Sequence, residues 1–219
     1  MASARPAFTL LGDVIASRQA KDRLRLQKNL DAVLALINDV LSPVVPLEPT
    51  IGDEFQASFK SVATAVKASL LLRLALLADA EVDSRYGLGI GPVQVVDTQR
   101  RMSQDGPGWW AARGAIEEAK RMSHESHTGF VRTSLSADSP GWKREEAALS
   151  SHLLCRDAMV DRMRPVARNR LYGLMLGLSQ ADIAAREGTT QSAVSQSLAR
   201  SGDTFAILIA QDRLDKGYL

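Results

Sequence analysis

The sequence predicts an α+β domain followed by an all-helical domain. Three observations predict this. Over residues 1–137, short apolar stretches with a period of two alternate with longer stretches of helical period. A polar break follows, with Asp138, Ser139, Pro140 and Gly141 in succession. Over residues 138–219 every periodic stretch is helical and carries capping residues at its ends.

Residues 8–15 read as a buried strand with an acid, Asp13, near its end. Ser17 is placed to cap a helix that runs to about Leu41, with Leu24, Leu30, Leu34, Ile37 and Leu41 on one face. Residues 44–51 are β-branched and punctuated by proline. After Gly52 and Asp53, the residues Phe55, Ala57 and Phe59 alternate with polar neighbours. Two strands therefore meet at a Gly-Asp turn, where Gly52 supplies positive φ. Strand, long return helix and strand make a right-handed crossover, so the first two strands run parallel and end on one edge of the sheet.

Residues 61–80 form a helix through Val62, Val66, Leu70, Leu74 and Leu77. Its apolar residues lie on more than one side, as in a helix packed against a sheet and a further element. Residues 85–93 read as a strand whose glycines permit close approach of a ligand or another backbone, with residues 93–96 continuing it and 97–105 a loop. Gly106, Pro107 and Gly108 precede a helix over 109–122 with Ala112, Ala115, Ile116 and Ala119 inward, and 128–135 read as a further strand. The order β-α-β-β-α-β-α-β suits a mostly antiparallel sheet with helices on one face, close to the split βαβ arrangement. In the second domain, helices are expected over 145–163, 166–176, 179–188, 190–200 and 204–214. Pro165 breaks the first pair, Gly177 closes the second helix, Ser179 and Gly188 cap the third, and Thr190 caps the fourth.

Composition bounds the function. At 219 residues and 45% hydrophobic content the chain has ample material for a core. A net charge of +2 provides no strong field for polyanions. One cysteine, Cys155, excludes an intramolecular disulfide and a cysteine-based zinc cluster, and in an apolar helix it is expected to be a buried thiol. No signal-peptide core or apolar run of about 18 residues is visible, because the apolar block over 68–80 is broken by Arg73. The expectation is a cytoplasmic protein that does not enter a membrane.

The chemistry concentrates on Asp13 and Asp53. An aspartate in a turn is also ordinary turn chemistry. Two carboxylates on one strand edge, however, need a cation or protonation to coexist. They suit Mg²⁺ (or Mn²⁺), which takes hard oxygen ligands and keeps waters or phosphate oxygens. The helix start beyond Asp13 offers free N–H groups to phosphates, and Arg18 and Lys21 stand close enough to the loop to add charge.

Residues 179–200 have a helix-turn-helix pattern: a small residue at the helix contact (Ala184), a turn glycine (Gly188) and apolar seats (Val194, Leu198). The stretch resembles the helix-turn-helix of sigma-factor region 4. That resemblance implies a second helix in the major groove of double-stranded DNA, presenting Thr190, Gln191, Ser192, Ser195 and Gln196. Arg200, Arg186, Arg168 and Arg170 are candidates for phosphates. Glu187 departs from the pattern, standing where an apolar residue is usual. The alternative is a helical hairpin used for dimerisation.

The first domain resembles the SatD family, a bacterial group. The resemblance is carried by residues 12–15, Ser17-Arg18, Asp22-Arg23, Leu26-Gln27, the turn over 50–56, and Gly106-Pro107-Gly108-Trp109-Trp110-Ala111-Ala112-Arg113. More distantly it is similar to class III nucleotidyl cyclases and GGDEF-type enzymes, which implies a ferredoxin-like, cyclase-type palm. In those enzymes two aspartates, matched here by Asp13 and Asp53, hold two metal ions on a nucleoside triphosphate. The resemblance implies a backbone carbonyl near Val14 as a further ligand and phosphates wrapped by Gly12, Val14, Ile15 and Ser17, with Arg18 and Lys21 alongside. It implies a base sensed by Asp105 or Trp109, and an α-phosphate reached by Arg113. Three positions depart from the cyclase pattern: a lysine is replaced by Pro49, a transition-state Asn by Ala112 and an Arg by Ile116.

Together these readings predict a nucleotide- and Mg²⁺-binding palm (residues 1–137) joined to a DNA-binding helical domain (138–219), acting as a ligand-responsive, homodimeric regulator. The alternative is an active nucleotidyl cyclase or related synthase, with Asp13, Asp53 and Arg113 as candidate catalytic residues.

Overall fold

The computed structural model describes residues 7–15, 22–50, 52–95, 104–200 and 202–217. The chain divides into two compact units, Met1–Ala158 and Met159–Leu219. The expected junction at 137/138 thus falls inside the first unit. The helix that follows it is tied to the sheet by its own buried side chains, among them Leu149, Leu153, Arg156 and Asp157.

The first unit is α+β, built on a five-stranded mixed sheet in the order β2-β3-β1-β4-β7. Strand β1 (Ala7–Val14) lies at its centre. On one side it pairs antiparallel with β3 (Glu54–Phe59), with Leu10 opposite Ala57 and Asp13 opposite Glu54. On the other it pairs antiparallel with β4 (Ser84–Gly91), which sets Asp13 opposite Arg85. Strand β2 (Val45–Pro49) lies outside β3, so it runs in the direction of β1 without touching it. The crossover expected from the sequence is therefore present, with β3 inserted between its two strands.

The first helix, α1 (Arg23–Leu41), is capped by Asp22, whose carboxylate accepts the Arg25 N–H at 2.9 Å. The expected cap, Ser17, lies outside the described residues. Helix α2 (Val62–Ala75) is capped by Ser61 and ends in a single wide turn over Leu76–Ala80. Strand β4 stops at Gly91, because Pro92 has no N–H to continue the ladder. Instead of extending it, Gln94–Val95 (β5) pairs with Gln104–Asp105 (β6) in a separate small hairpin. Helix α3 (Pro107–Ser123) follows, then β7 (Thr133–Ala137), parallel to β4. Residues 128–131 turn rather than extend, with the Val131 N–H donating to the Thr128 carbonyl at 2.9 Å.

Helices cover both faces of the sheet, not one as expected. The glycines of β4 determine where α3 lies. A side chain at Gly87 would sit 2.2 Å from the Ala112 carbonyl oxygen, and one at Gly89 2.1 Å from that of Gly108. Thr9 secures the contact by donating to the Gly108 carbonyl at 2.8 Å. The alternate residues Leu10, Phe55, Ala57, Tyr86, Leu88 and Ile90 are buried on the opposite face, where α2 packs on β1, β3 and β4. Both sides of the central strands are apolar, so both need cover.

Helix α4 (Lys143–Arg162) begins in the first unit and runs four residues past its boundary. Cys155 is exposed on it, contrary to the expected burial. The second unit continues with α5 (Pro165–Met175), α6 (Gln180–Glu187), α7 (Gln191–Arg200) and α8 (Gly202–Asp215). Ser179 and Asp182 form a reciprocal capping box at the start of α6, and Gly188 ends it at φ 64°. Ile183, Ala184, Val194 and Leu198 form the small core of the α6–α7 pair, with Leu174 and Leu178 packed against it.

Candidate functional site

The acidic edge is assembled by β1 and the turn after β2. Gly52 takes φ 77°, and the Thr50 N–H closes the turn on the Glu54 carbonyl at 2.8 Å. The Val14 N–H then donates to the Asp53 carbonyl at 3.4 Å, which draws the turn to the end of β1. Burial, reinforced by the negative charge of Asp53, pushes the Asp13 carboxyl up to about 6; Arg85 and Lys120 oppose the shift and Glu54 adds to it.

Cations flank the acids. Arg85, directly across from Asp13 on β4, places Nη1 3.5 Å from its Oδ2 and donates from Nε to Ser123 Oγ at 3.1 Å. Arg113 forks onto Glu54 with bonds of 2.9 and 2.8 Å, and this hydrogen bonding raises its own pKa against partial burial. Arg85 and Glu54 were not singled out in the sequence as site residues, whereas Lys120 reads, alongside Arg113, as a stand-in for the arginine that Ile116 replaces. Arg85 shares its parity with Gly87 and Gly89, which was the available signal that it faces α3 and Asp13.

Other candidate residues sit elsewhere. Gly12 lies inside β1, paired with Phe55 and Tyr86, and a side chain there would meet the Phe55 ring at 2.2 Å. Its backbone belongs to the ladder rather than to a loop. Val14 is buried as the last residue of β1. Ile15 donates its N–H to the Asp83 carbonyl at 2.9 Å. Ser17, Arg18 and Lys21 lie outside the described residues. The Asp105 carboxylate accepts from the Gly106 N–H at 2.7 Å and the Trp110 indole at 2.9 Å, so it organises the start of α3. Trp109 is buried with Leu11, Ala112 and Ile116. Gly108 abuts Gly91, and Gly91 pairs with Ala7 at the far end of β1 from Asp13.

The donor set fits a small hard cation that brings its own remaining ligands. Among the described residues, no group of three or more His, Cys, Asp and Glu side chains is arranged to hold a metal. Two carboxylates supply part of an octahedral Mg²⁺ shell, and phosphate oxygens and water fill such a shell elsewhere. Burial first, and then the negative charge of Asp53, disfavours the ionised Asp13, and a cation at this edge would favour it.

In the second unit, Thr190, Gln191, Ser192, Ser195, Gln196 and Arg200 are all exposed on or just before α7, while Val194 and Leu198 are buried beneath them. Thr190 accepts the Ala193 N–H at 3.2 Å, as expected of a cap. Arg170 does not face outward. It is 8% exposed and forks onto Glu187 at 2.6 to 3.1 Å, which removes it from the candidate phosphate contacts. The same pair accounts for Glu187 standing where an apolar residue was expected.

The molecule thus combines an α+β unit bearing paired carboxylates at one sheet edge with a small helical unit. Over residues 7–204 it matches the family model described as SatD, and the chain belongs to the SatD family. No curated protein matches it. Similar solved structures include a bacterial light-regulated adenylyl cyclase, at 15% identity and TM-score 0.45, the match covering 55% of this chain and 41% of that one. The guanylyl cyclase Cya2 is also similar, at 15% identity and TM-score 0.41, covering 53% of this chain and 71% of that one. Among the described residues, no helix is long and apolar enough to cross a membrane.

Proposed function

We propose that this protein is a ligand-responsive DNA-binding regulator. Its first unit binds a nucleotide with Mg²⁺ (or Mn²⁺) at Asp13 and Asp53, and its second reads double-stranded DNA through α7. The observation that carries the first half is the convergence of Asp13 and Asp53 through the Val14–Asp53 backbone bond, with Arg85 and Lys120 within electrostatic reach. The metal, when bound, supplies positive charge to the carboxylates and the triphosphate. Asp13 and Asp53 hold and orient it. Arg113, half-exposed beside Glu54, is placed to release that carboxylate and take a phosphate oxygen.

The second half rests on the exposure of Gln191, Ser192, Ser195 and Gln196 over the buried Val194 and Leu198. Gln can bond adenine through two bonds, and Ser can bond bases or phosphates. With Arg170 taken by Glu187, fewer cations remain for phosphates. The affinity is therefore modest, with a shallow salt dependence. Such readers act as symmetric pairs, so the working form is a homodimer. Mobility of DNA fragments at low salt, with and without Mg²⁺ and nucleotide, tests this half. No shift at low salt for fragments carrying the protein's own promoter region would sink it.

A second reading, an active nucleotidyl cyclase, is favoured by the retention of both aspartates. Against it, Ala112 is fully buried on the backbone at Gly87 and Ile116 is sealed in the Leu11–Trp109 cluster. Neither position offers a polar group to a transition state. Binding without turnover is the reading we hold.

A further inference from the structure

A chain of charged contacts runs behind the acidic edge. The Ile15 N–H, two residues beyond Asp13, donates to the Asp83 carbonyl at 2.9 Å. The Asp83 carboxylate accepts from Arg73 Nε at 2.9 Å and from Arg132 Nε at 2.7 Å. Arg132 is also joined by its backbone to α4: its N–H and that of Thr133 donate to one carboxylate oxygen of Asp157, at 2.8 and 2.6 Å. Asp157 is fully buried and pairs with Arg156 at 3.1 Å. Arg156 in turn reaches the Val66 carbonyl and Ser69 on α2, each at 3.1 Å, and Thr133 at 2.6 Å.

This network places Arg73 near both of its acids. Among the described contacts it joins three guanidinium groups (Arg73, Arg132, Arg156) to the carboxylates of Asp83 and Asp157. Arg73 stands between the acids, 2.9 Å from Asp83 and 3.7 Å from Asp157. Burial works against its charge, and Asp83 and then Asp157 more than compensate. Arg156 Nε has no hydrogen-bond partner among the described residues. Arg73 thus has a second acid 3.7 Å from its guanidinium, and a shift of Asp83 would strengthen that pairing. Packed interiors convert small shifts into such discrete alternatives.

We propose that Asp83, Arg132 and Asp157 form a latch that couples ligand occupancy at the Asp13–Asp53 edge to the last turns of α4. The proposal rests on the ligand-site reading above. Binding draws in the Asp13–Ile15 backbone, Asp83 follows through its bond to Ile15, and Arg73 moves toward Asp157. Asp157 then loosens its hold on the Arg132 and Thr133 N–H groups. Helix α4 runs through Asp157 to Arg162, so the change appears in its last turns.

Hydrogen exchange on the full chain tests the latch, with Mg²⁺ alone, Mg²⁺ with ATP, and Mg²⁺ with GTP as the probes. In the wild type, the effective nucleotide slows exchange at residues 13–15 and changes it at 156–162 by about threefold or more. Arg132→Lys keeps its charge and its backbone N–H to Asp157 but loses the planar guanidinium. In this variant, protection at 13–15 persists and the change at 156–162 disappears. Asp83→Asn, which keeps an oxygen for the Ser84 N–H, behaves the same way. Protection at 13–15 with no change at 156–162 in the wild type overturns the latch alone. So does an unchanged response in both variants. Absence of protection at 13–15 with every probe overturns the ligand-site reading, and the latch with it.

Discussion

The Val14 N–H donates to the Asp53 carbonyl at 3.4 Å, extending the β1–β3 ladder that sets Asp13 opposite Glu54 and so brings two acidic residues distant in sequence to a single edge. The turn that makes it possible requires positive φ at Gly52. Replacing Gly52 by Val places a β-branched residue at φ 77°, which costs about 1–2 kcal/mol or more. The added side chain meets nothing within 4 Å, so the damage is conformational rather than steric. Gly52→Val lowers the melting temperature and weakens Mg²⁺–nucleotide binding more than Gly52→Asn, because Asn tolerates the left-handed region. Calorimetry on the two variants checks the order.

Gly87→Ala should be among the most damaging single substitutions in the first unit. The new carbon would lie 2.2 Å from the Ala112 carbonyl oxygen and 2.4 Å from the Ile116 nitrogen, both helix backbone. Helix α3 must move away from β4, and overpacking of this kind costs about 3 kcal/mol. Urea unfolding shows a lower midpoint. Gly114→Ala, on the open side of the same helix, is neutral or slightly stabilising.

The Arg170–Glu187 fork holds α5 to α6 in the second unit. Truncating Glu187 leaves the largely buried Arg170 guanidinium without its acid, so Glu187→Ala destabilises by about 2 kcal/mol. A methionine pair at both positions recovers most of that loss, since a packed apolar pair replaces a charge pair at small cost. Chemical denaturation of the single and double variants provides the comparison.

Burial, with the Arg156 cation beside it, pushes the His152 imidazole down to about 4, against the pull of Asp157. An unfolded histidine titrates near 6.5. Protons therefore favour the unfolded chain between these values. The contribution of neutral His152 is complete above about pH 6.5 and is lost progressively as pH falls toward about 4. His152→Gln flattens the stability profile in that window and leaves it unchanged above pH 7. Denaturant midpoints at about pH 7.5, 6 and 5 check the sign.

Much of the frame was legible in the chain because its signals are local. Gly52-Asp53 between alternating apolar stretches marks a turn, and Ser179 and Gly188 bracket a helix by cap chemistry. The parts that were not legible depend on partners far away in sequence. Glycines 87 and 89 look like punctuation in a strand, and only the fold shows that they make room for α3. Arg170 looks like a surface cation until Glu187, on the next helix, reaches it. Asp157 carries no motif, yet it caps the start of β7 from another element. Pro92 was the overlooked local cue, since a residue without an N–H had to end β4.

The most direct test of the central claim is thermal shift of the wild type, Asp13→Asn and Asp53→Asn with each nucleoside triphosphate and Mg²⁺ or Mn²⁺, followed by chromatography of the nucleotides. The account predicts that at least one triphosphate stabilises the wild type in a metal-dependent way, that both variants lose the effect while keeping the fold, and that no cyclic product forms. Stabilisation that survives in both variants, or a metal effect with no dependence on either aspartate, would contradict it.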